Sequence, residues 1–253
     1  MRELQEIIES AYALFAPYTV GATLDVCPCC VSDAEQQELL ATPLRQVPRR
    51  LLQNAYYESA RNYSDQERWE MKHFLPRVLE LVSQFEFPCH SDEITFRRLD
   101  LNMPLYWPPA ERELLAKFAL VYVGQCLQHY PLPGTHFTDL LVMFGIAHFE
   151  LAPLLSFWAA TDTLAGLVYF VDLLVDDTRV LSNGIIKFTN PFSEPPANQQ
   201  LTVWLTDPAV QARWQHRLEQ AIMHEQLPGS YNERASWAYD LLRHNLPRSA
   251  SQA

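Results

Sequence analysis

Apolar residues recur along the chain with a helical period. Leu4, Ile7, Ile8, Ala11 and Leu14 fall on one face, which predicts a helix over 3–16 that Pro17 and Gly21 end. The segment 22–31, ATLDVCPCCV, is turn-like, and Ser32 with Asp33 forms an N-cap signal before AEQQELLA. After PLRQVP a helix is expected from Arg49 to about Asn62. Ser64-Asp65-Gln66-Glu67 has capping-box spacing and opens a pattern through Trp69, Phe74, Val78, Leu81 and Phe85. Pro76 falls inside that pattern and is expected to kink or split the helix. The stretch 87–101 is a connector with room for a short extended piece.

In the second half, Pro108 and Pro109 favour the start of the helix ERELLAKFALVYVGQCLQHY, which ends at Pro131, Pro133 and Gly134. Thr135 or Thr138 is placed to cap DLLVMFGIAHFELA, Pro153 begins a further helix through Trp158, and Thr161 with Asp162 is placed to cap TLAGLVYFVDLLV. These three are apolar on most faces and are expected at the centre of the fold. Asn183-Gly184 between apolar runs then signals a β-hairpin near 180–188. The segment 190–200 is a Pro-rich loop, and helices resume near 201–206, at 208–226 behind Asp207-Pro208, and at 231–245, before a frayed tail. The expected fold is mostly α: a compact multi-helix domain over 1–253, with one small hairpin and a possible sub-boundary near 87–107. Short helices with brief loops also allow an α-solenoid, although no internal period is present.

Composition adds three constraints. Apolar residues at 48% and aromatic residues at 12% are enough to offset chain entropy, which excludes global disorder. The apolar region 140–175 is interrupted by Glu150, Pro153, Asp162 and Asp172, so no membrane span is expected. Glu3, Glu6 and Glu9 do not suit a signal peptide, and five cysteines, an odd number, suit a reducing compartment; a cytoplasmic protein is expected.

The formal charge of −11 opposes binding to nucleic acid or anionic membranes and favours a basic partner. No Lys or Arg occurs between Lys117 and Arg179, yet Asp139, Glu150, Asp162, Asp172, Asp176 and Asp177 lie in that interval. They are either acids at the helix ends of an apolar core or a face for a cationic partner or metal. Asp172 and Asp176 are four apart and share a helix face, a pattern used by aspartate-rich α-folds that hold Mg2+ and process diphosphate or ADP-ribose ligands. Such a fold needs a second acidic cluster, for which Glu150 and Asp162 are the candidates.

Cys27 and Cys30 have the spacing that lets two thiolates bind one tetrahedral zinc ion, and Cys89 with His90 would complete the shell. The same pair as a redox motif would need a preceding strand and a helix running directly from it, whereas here a helix is expected only after Ser32. His73, His129, His136 and His148 show no paired ligand spacing, Cys126 lies on an apolar helix face, and no nucleotide-binding, zinc-protease or serine-hydrolase motif is present. No catalytic residue is assigned.

VCPCCVS followed by ATPL and KHFLPRVLEL, at 24–43 and 69–81, resembles a group of uncharacterised bacterial proteins with a CPCC-type segment before an FLPR-type helix. The resemblance covers the first third of the chain and implies no activity. Small acidic bacterial proteins of this general kind include immunity proteins of toxin systems. The expectation is therefore a non-enzymatic immunity protein whose six acids meet a basic toxin domain. The alternatives are a metal-dependent hydrolase using those acids and a zinc-stapled helical scaffold.

Overall fold

The structure is a computed structural model and describes residues 2–60, 63–182, 185–227 and 229–245. Its α-helices are α1 (Arg2–Leu14), α2 (Asp33–Ala41), α3 (Arg49–Leu52), α4 (Asp65–Ser83), α5 (Pro109–Cys126), α6 (Phe137–Ile146), α7 (Leu151–Ala160), α8 (Leu164–Asp176), α9 (Pro195–Thr206), α10 (Pro208–Met223) and α11 (Asn232–Asn245). Strands β1 (Thr178–Val180) and β2 (Ile186–Phe188) pair antiparallel between α8 and α9, with Arg179 opposite Lys187. The protein is mostly α with one small hairpin. The Asn183-Gly184 turn and the tail from 246 lie outside the described residues.

The chain forms two compact units. The first comprises Met1–Tyr122, Pro133–Thr135 and Ile146–Phe149; the second comprises Val123–Leu132, His136–Gly145 and Glu150–Ala253. The chain first passes from one to the other inside α5. The sub-boundary expected near 87–107 lies within the first unit. That segment has its own buried anchors, Phe96, Leu99, Leu101 and Trp107, and the Trp107 indole N–H donates to the Leu99 carbonyl at 2.9 Å. It holds a 3-10 turn, Asp92–Ile94, in place of the extended piece.

In the first unit α1 packs its predicted face on α4. Ser64 caps α4 by accepting from the Glu67 amide at 2.9 Å, but the reciprocal half of the capping box is not made. The Glu67 carboxylate instead takes the Tyr63 amide at 2.7 Å and the Arg98 guanidinium at 3.1 Å. Arg98 also donates to the carbonyls of Tyr56, Tyr57 and Ser59, at 3.0, 3.2 and 2.9 Å. This explains why the helix expected to reach about Asn62 stops early: α3 continues only through a wide turn, Gln53–Tyr57, whose last carbonyls turn to Arg98. Pro76 does not split α4, which runs unbroken for 19 residues. Pro76 is itself buried on the packed face of the helix, and burial of its ring helps to offset the lost backbone hydrogen bond.

The second unit has an aromatic core. Phe170 stacks on Trp214 at 4.1 Å, Trp158 on Trp204 at 5.2 Å, and Phe137 on Tyr169 at 4.9 Å. Gly145 lets α6 approach α9, since a Cβ there would lie 2.6 Å from the Cβ of Ala197. α6 and α8 are buried almost throughout, as expected, whereas α7 is one-sided and leaves Ala152, Pro153 and Phe157 exposed. The caps differ from those expected. Thr163, and not Thr161 or Asp162, caps α8 through the Gly166 amide, and the His136 carbonyl precedes α6. The second half of the expected Pro-rich loop is the start of α9, because Pro195 and Pro196 occupy the first turn, where helix amides need no partner.

The ion pair Arg98–Glu67 is 5% and 3% exposed on its two side chains. Removing one member of such a pair leaves the other charge and several carbonyls unsatisfied. Arg98→Met is expected to lower stability in urea unfolding by about 3–5 kcal/mol. Arg2→Ala, which removes a pair on the solvent-exposed face of α1, is expected to cost less than about 0.5 kcal/mol.

Candidate functional site

Helix α8 ends in Asp172, Asp176 and Asp177. The first two share a face, and Asp177 is the residue just past the helix. The unpaired carbonyls of a helix C-terminus carry partial negative charge, so three carboxylates here meet an opposing field. Among the described residues one guanidinium answers two of them. Arg234 of α11 donates through Nη2 to Asp172 at 2.9 Å and to Asp176 at 2.6 Å. The Tyr231 hydroxyl donates to Asp172 at 3.0 Å and is hydrogen-bonded to the Tyr130 hydroxyl. The Tyr130 ring lies 5.3 Å from that of Tyr169, so a tyrosine cluster borders the acids. The backbone of Asp177 is fixed by its amide on Leu173 and its carbonyl on the Thr189 amide, where β2 leaves the hairpin. Its carboxylate is bonded to the Thr138 hydroxyl of α6.

Burial raises both Asp172 and Asp177 above the ordinary carboxylate range. For Asp172 the Tyr231 and Arg234 hydrogen bonds oppose the shift. For Asp177 burial, reinforced by the neighbouring Asp176 and Asp172, outweighs Thr138 and His136 and pushes the carboxyl up to about 6. Burial also raises Tyr169 and Tyr231, so neither is a ready phenolate.

The six acids singled out in the sequence are therefore not one cluster. Asp172, Asp176 and Asp177 come together. Asp139 sits half-buried in the first turn of α6, next in sequence to Thr138. Asp162 is exposed at the other end of α8, about 20 Å along the axis from Asp176, and pairs with Arg217 at 3.1 Å. Glu150 is exposed at the start of α7 and makes no capping hydrogen bond with its side chain. The base-free interval is thus answered by Arg217 and Arg234 folding back from further along the chain. Tyr231 and Arg234 carried no local signal in the sequence; only the tertiary fold pairs them with α8.

The four expected zinc ligands fall in two environments. Cys27 and Cys30 lie in a tight turn ahead of α2, where the Cys29 amide and the Cys30 thiol hold the Cys27 thiol below its ordinary value. Cys89 lines a cleft of about 470 Å³ with His90, Glu58 and Arg97, and burial pushes its thiol up to about 12. Among the described residues no three His, Cys, Asp or Glu side chains converge as a metal site requires. That holds for Cys27, Cys30, Cys89 and His90 and for the acids at the end of α8.

One further cluster carries reactive groups. The Lys72 ammonium bonds Glu111 at 2.6 Å, the Tyr18 hydroxyl at 3.1 Å and the Tyr106 carbonyl, and lies 4.4 Å from the Trp107 ring. The cavity beside it is about 20 Å³, room for one water and no substrate. Lys72 and Glu111 are a buried structural pair.

No family model, no curated protein and no solved structure matches this chain. Among the described residues no helix is long and apolar enough to cross a membrane.

The raised Asp177 carboxyl has a signed consequence. The native group titrates near 6 and the unfolded one near 3.8, so between these values the native state binds more protons and stability falls as pH rises. Asp177→Asn removes that loss while keeping an oxygen for Thr138. In thermal melts across pH 4 to 8 the variant is expected to be more stable than the parent above pH 6, by about 1 kcal/mol after allowance for partial exposure. The advantage should disappear towards pH 4.

Proposed function

We propose that this is a non-enzymatic binding protein, a bacterial immunity protein that neutralises a cognate toxin domain by seating a basic segment of it on the acidic end of α8. The observation that carries this reading is the set of three carboxylates at the negative pole of a helix, two of them sharing the Arg234 guanidinium and the third bonded to the Thr138 hydroxyl. Asp172 and Asp177 are both raised by burial. Charge held there at neutral pH is poorly compensated within the chain, and a lysine or arginine from a partner would relieve it. The net charge of −11 would speed the encounter with a basic surface. Toxins that act on nucleic acids or nucleotides present basic clefts of this kind.

The surface is narrower than the six acids: Asp172, Asp176 and Asp177. Asp162 is already paired with Arg217. A metal-dependent hydrolase using the same acids is less well supported, because the Arg234 guanidinium bridges Asp172 and Asp176, where a divalent ion would bridge carboxylates. The odd cysteine count supports a cytoplasmic setting.

The test is calorimetric titration of the purified protein with the purified basic product of an adjoining gene, at low and at high salt. A complex that weakens steeply with salt is expected. Asp176→Asn, a change at an exposed position, should weaken it about tenfold at low salt. Absence of a complex at low salt with every adjoining gene product would overturn the assignment.

A further inference from the structure

The first unit presents a second feature that the acidic site does not use. Cys27, Cys29 and Cys30 lie in one hydrogen-bonded turn. The Cys30 amide donates to the Cys27 carbonyl at 2.9 Å and the Val31 amide to the same oxygen at 3.1 Å. A turn closed in this way keeps its first and fourth Cα atoms within about 7 Å, a bound that overlaps the range of about 4.4–6.8 Å that a disulfide spans. The neighbouring Cys29 backbone and Cys30 side chain lower the Cys27 thiol below its ordinary value. Adjacent residues such as Cys29 and Cys30 have Cα atoms about 3.8 Å apart, too close for an unstrained bridge. Pro28 occupies the second position of the turn, where its fixed φ stiffens the backbone.

The turn is also anchored at both feet. Val26 and Val31 on either side are buried. The Asp25 amide donates to both oxygens of Glu70 at 3.0 Å, and the Asp25 carboxylate accepts from the Ser64 hydroxyl at the start of α4. The Leu24 amide donates to Gln36 of α2 at 2.6 Å. Ser32 closes the segment with a full capping box onto Glu35. Cys30 remains exposed and Cys27 partly so, and none of the five cysteines is in a disulfide. A rigid platform thus offers two adjoining thiols to solvent, although the helix that follows starts only after Ser32.

We propose that Cys27 and Cys30 form a surface dithiol that exchanges with low-molecular-weight disulfides of the glutathione type and closes to an intramolecular disulfide. Cys27, at the first position of the turn and partly exposed, attacks one sulfur of the small disulfide. That S–S bond breaks, one thiolate leaves, and Cys27 carries a mixed disulfide. The Cys30 sulfur then attacks the Cys27 sulfur and releases the second thiolate. The two protein thiol protons pass to the two released thiolates. The protein is oxidised by two electrons and the small disulfide is reduced to two thiols.

The test exposes the native protein to oxidised glutathione, blocks free thiols with N-ethylmaleimide at timed intervals, and maps the products by intact mass and peptide mass spectrometry. The same protein unfolded in urea is the reference. The expected result is one Cys27–Cys30 disulfide, formed at least about tenfold faster in the native chain than in the unfolded one, because the fold pre-positions the pair. Cys30→Ser should stop at a glutathione adduct on Cys27, and Cys29→Ser should behave as the parent. Retention of all five thiols, a bridge involving Cys29, or a native rate no higher than the unfolded rate would overturn the proposal.

Discussion

One guanidinium, Arg234, bridges two of the three carboxylates that end helix α8, and the contacts around that point are arranged about it. Arg234 ties α11 to α8 through Asp172 and Asp176. Tyr231, three residues earlier, adds its hydroxyl to the same carboxylate. Asp177 is then turned towards Thr138 of α6, and its carbonyl receives the strand that leaves the hairpin. Arg234 answers two of the three carboxylates, and Asp177, with Thr138 and His136 in its favour, is still raised by burial at the negative end of a helix. Burial therefore holds Asp172 and Asp177 above their ordinary values in spite of Arg234, Tyr231 and Thr138.

The first unit solves its polar problem differently. Two of its charged groups are buried with their partners around them. Arg98 meets Glu67 and three carbonyls, and Lys72 meets Glu111, Tyr18 and the Tyr106 carbonyl. Such sets add little net stability over apolar packing, but breaking one is costly. Arg98 fixes how the chain leaves the Gln53–Tyr57 turn, and Lys72 ties α4 to the start of α5. The two sites therefore have opposite character: closed and satisfied in one unit, open and under-compensated in the other.

What was legible in the sequence was local. The faces of α1 and α4, the Ser32, Ser64 and Asp207 caps and the position of the hairpin follow from spacing and side-chain chemistry over a few residues. What failed depended on distant partners. The early end of α3 is set by Arg98, some forty residues on. The unbroken α4 is set by the packing of Pro76, and the cap of α8 lies one or two residues later than expected because the Thr163 hydroxyl also reaches the Leu127 carbonyl. The acids illustrate the same limit. Their clustering in sequence was visible, but not that Arg217 would take Asp162 and Arg234 would bridge Asp172 and Asp176. The CPCC spacing made Cys27 and Cys30 a candidate pair; the turn that brings them together is local, whereas the cleft that Cys89 and His90 line is made by tertiary packing.

The central claim is that negative charge at the end of α8 is held at a cost. The most direct measurement is a pH titration of the aspartate carboxyl carbons by 13C NMR on the intact protein, with Asp177 assigned by comparison with a variant lacking it. A midpoint for Asp177 near 6 is the predicted result. A midpoint near the ordinary value of 3.8 would mean that the carboxylate is well accommodated in the free protein. It would remove the physical reason for a cationic partner at this site.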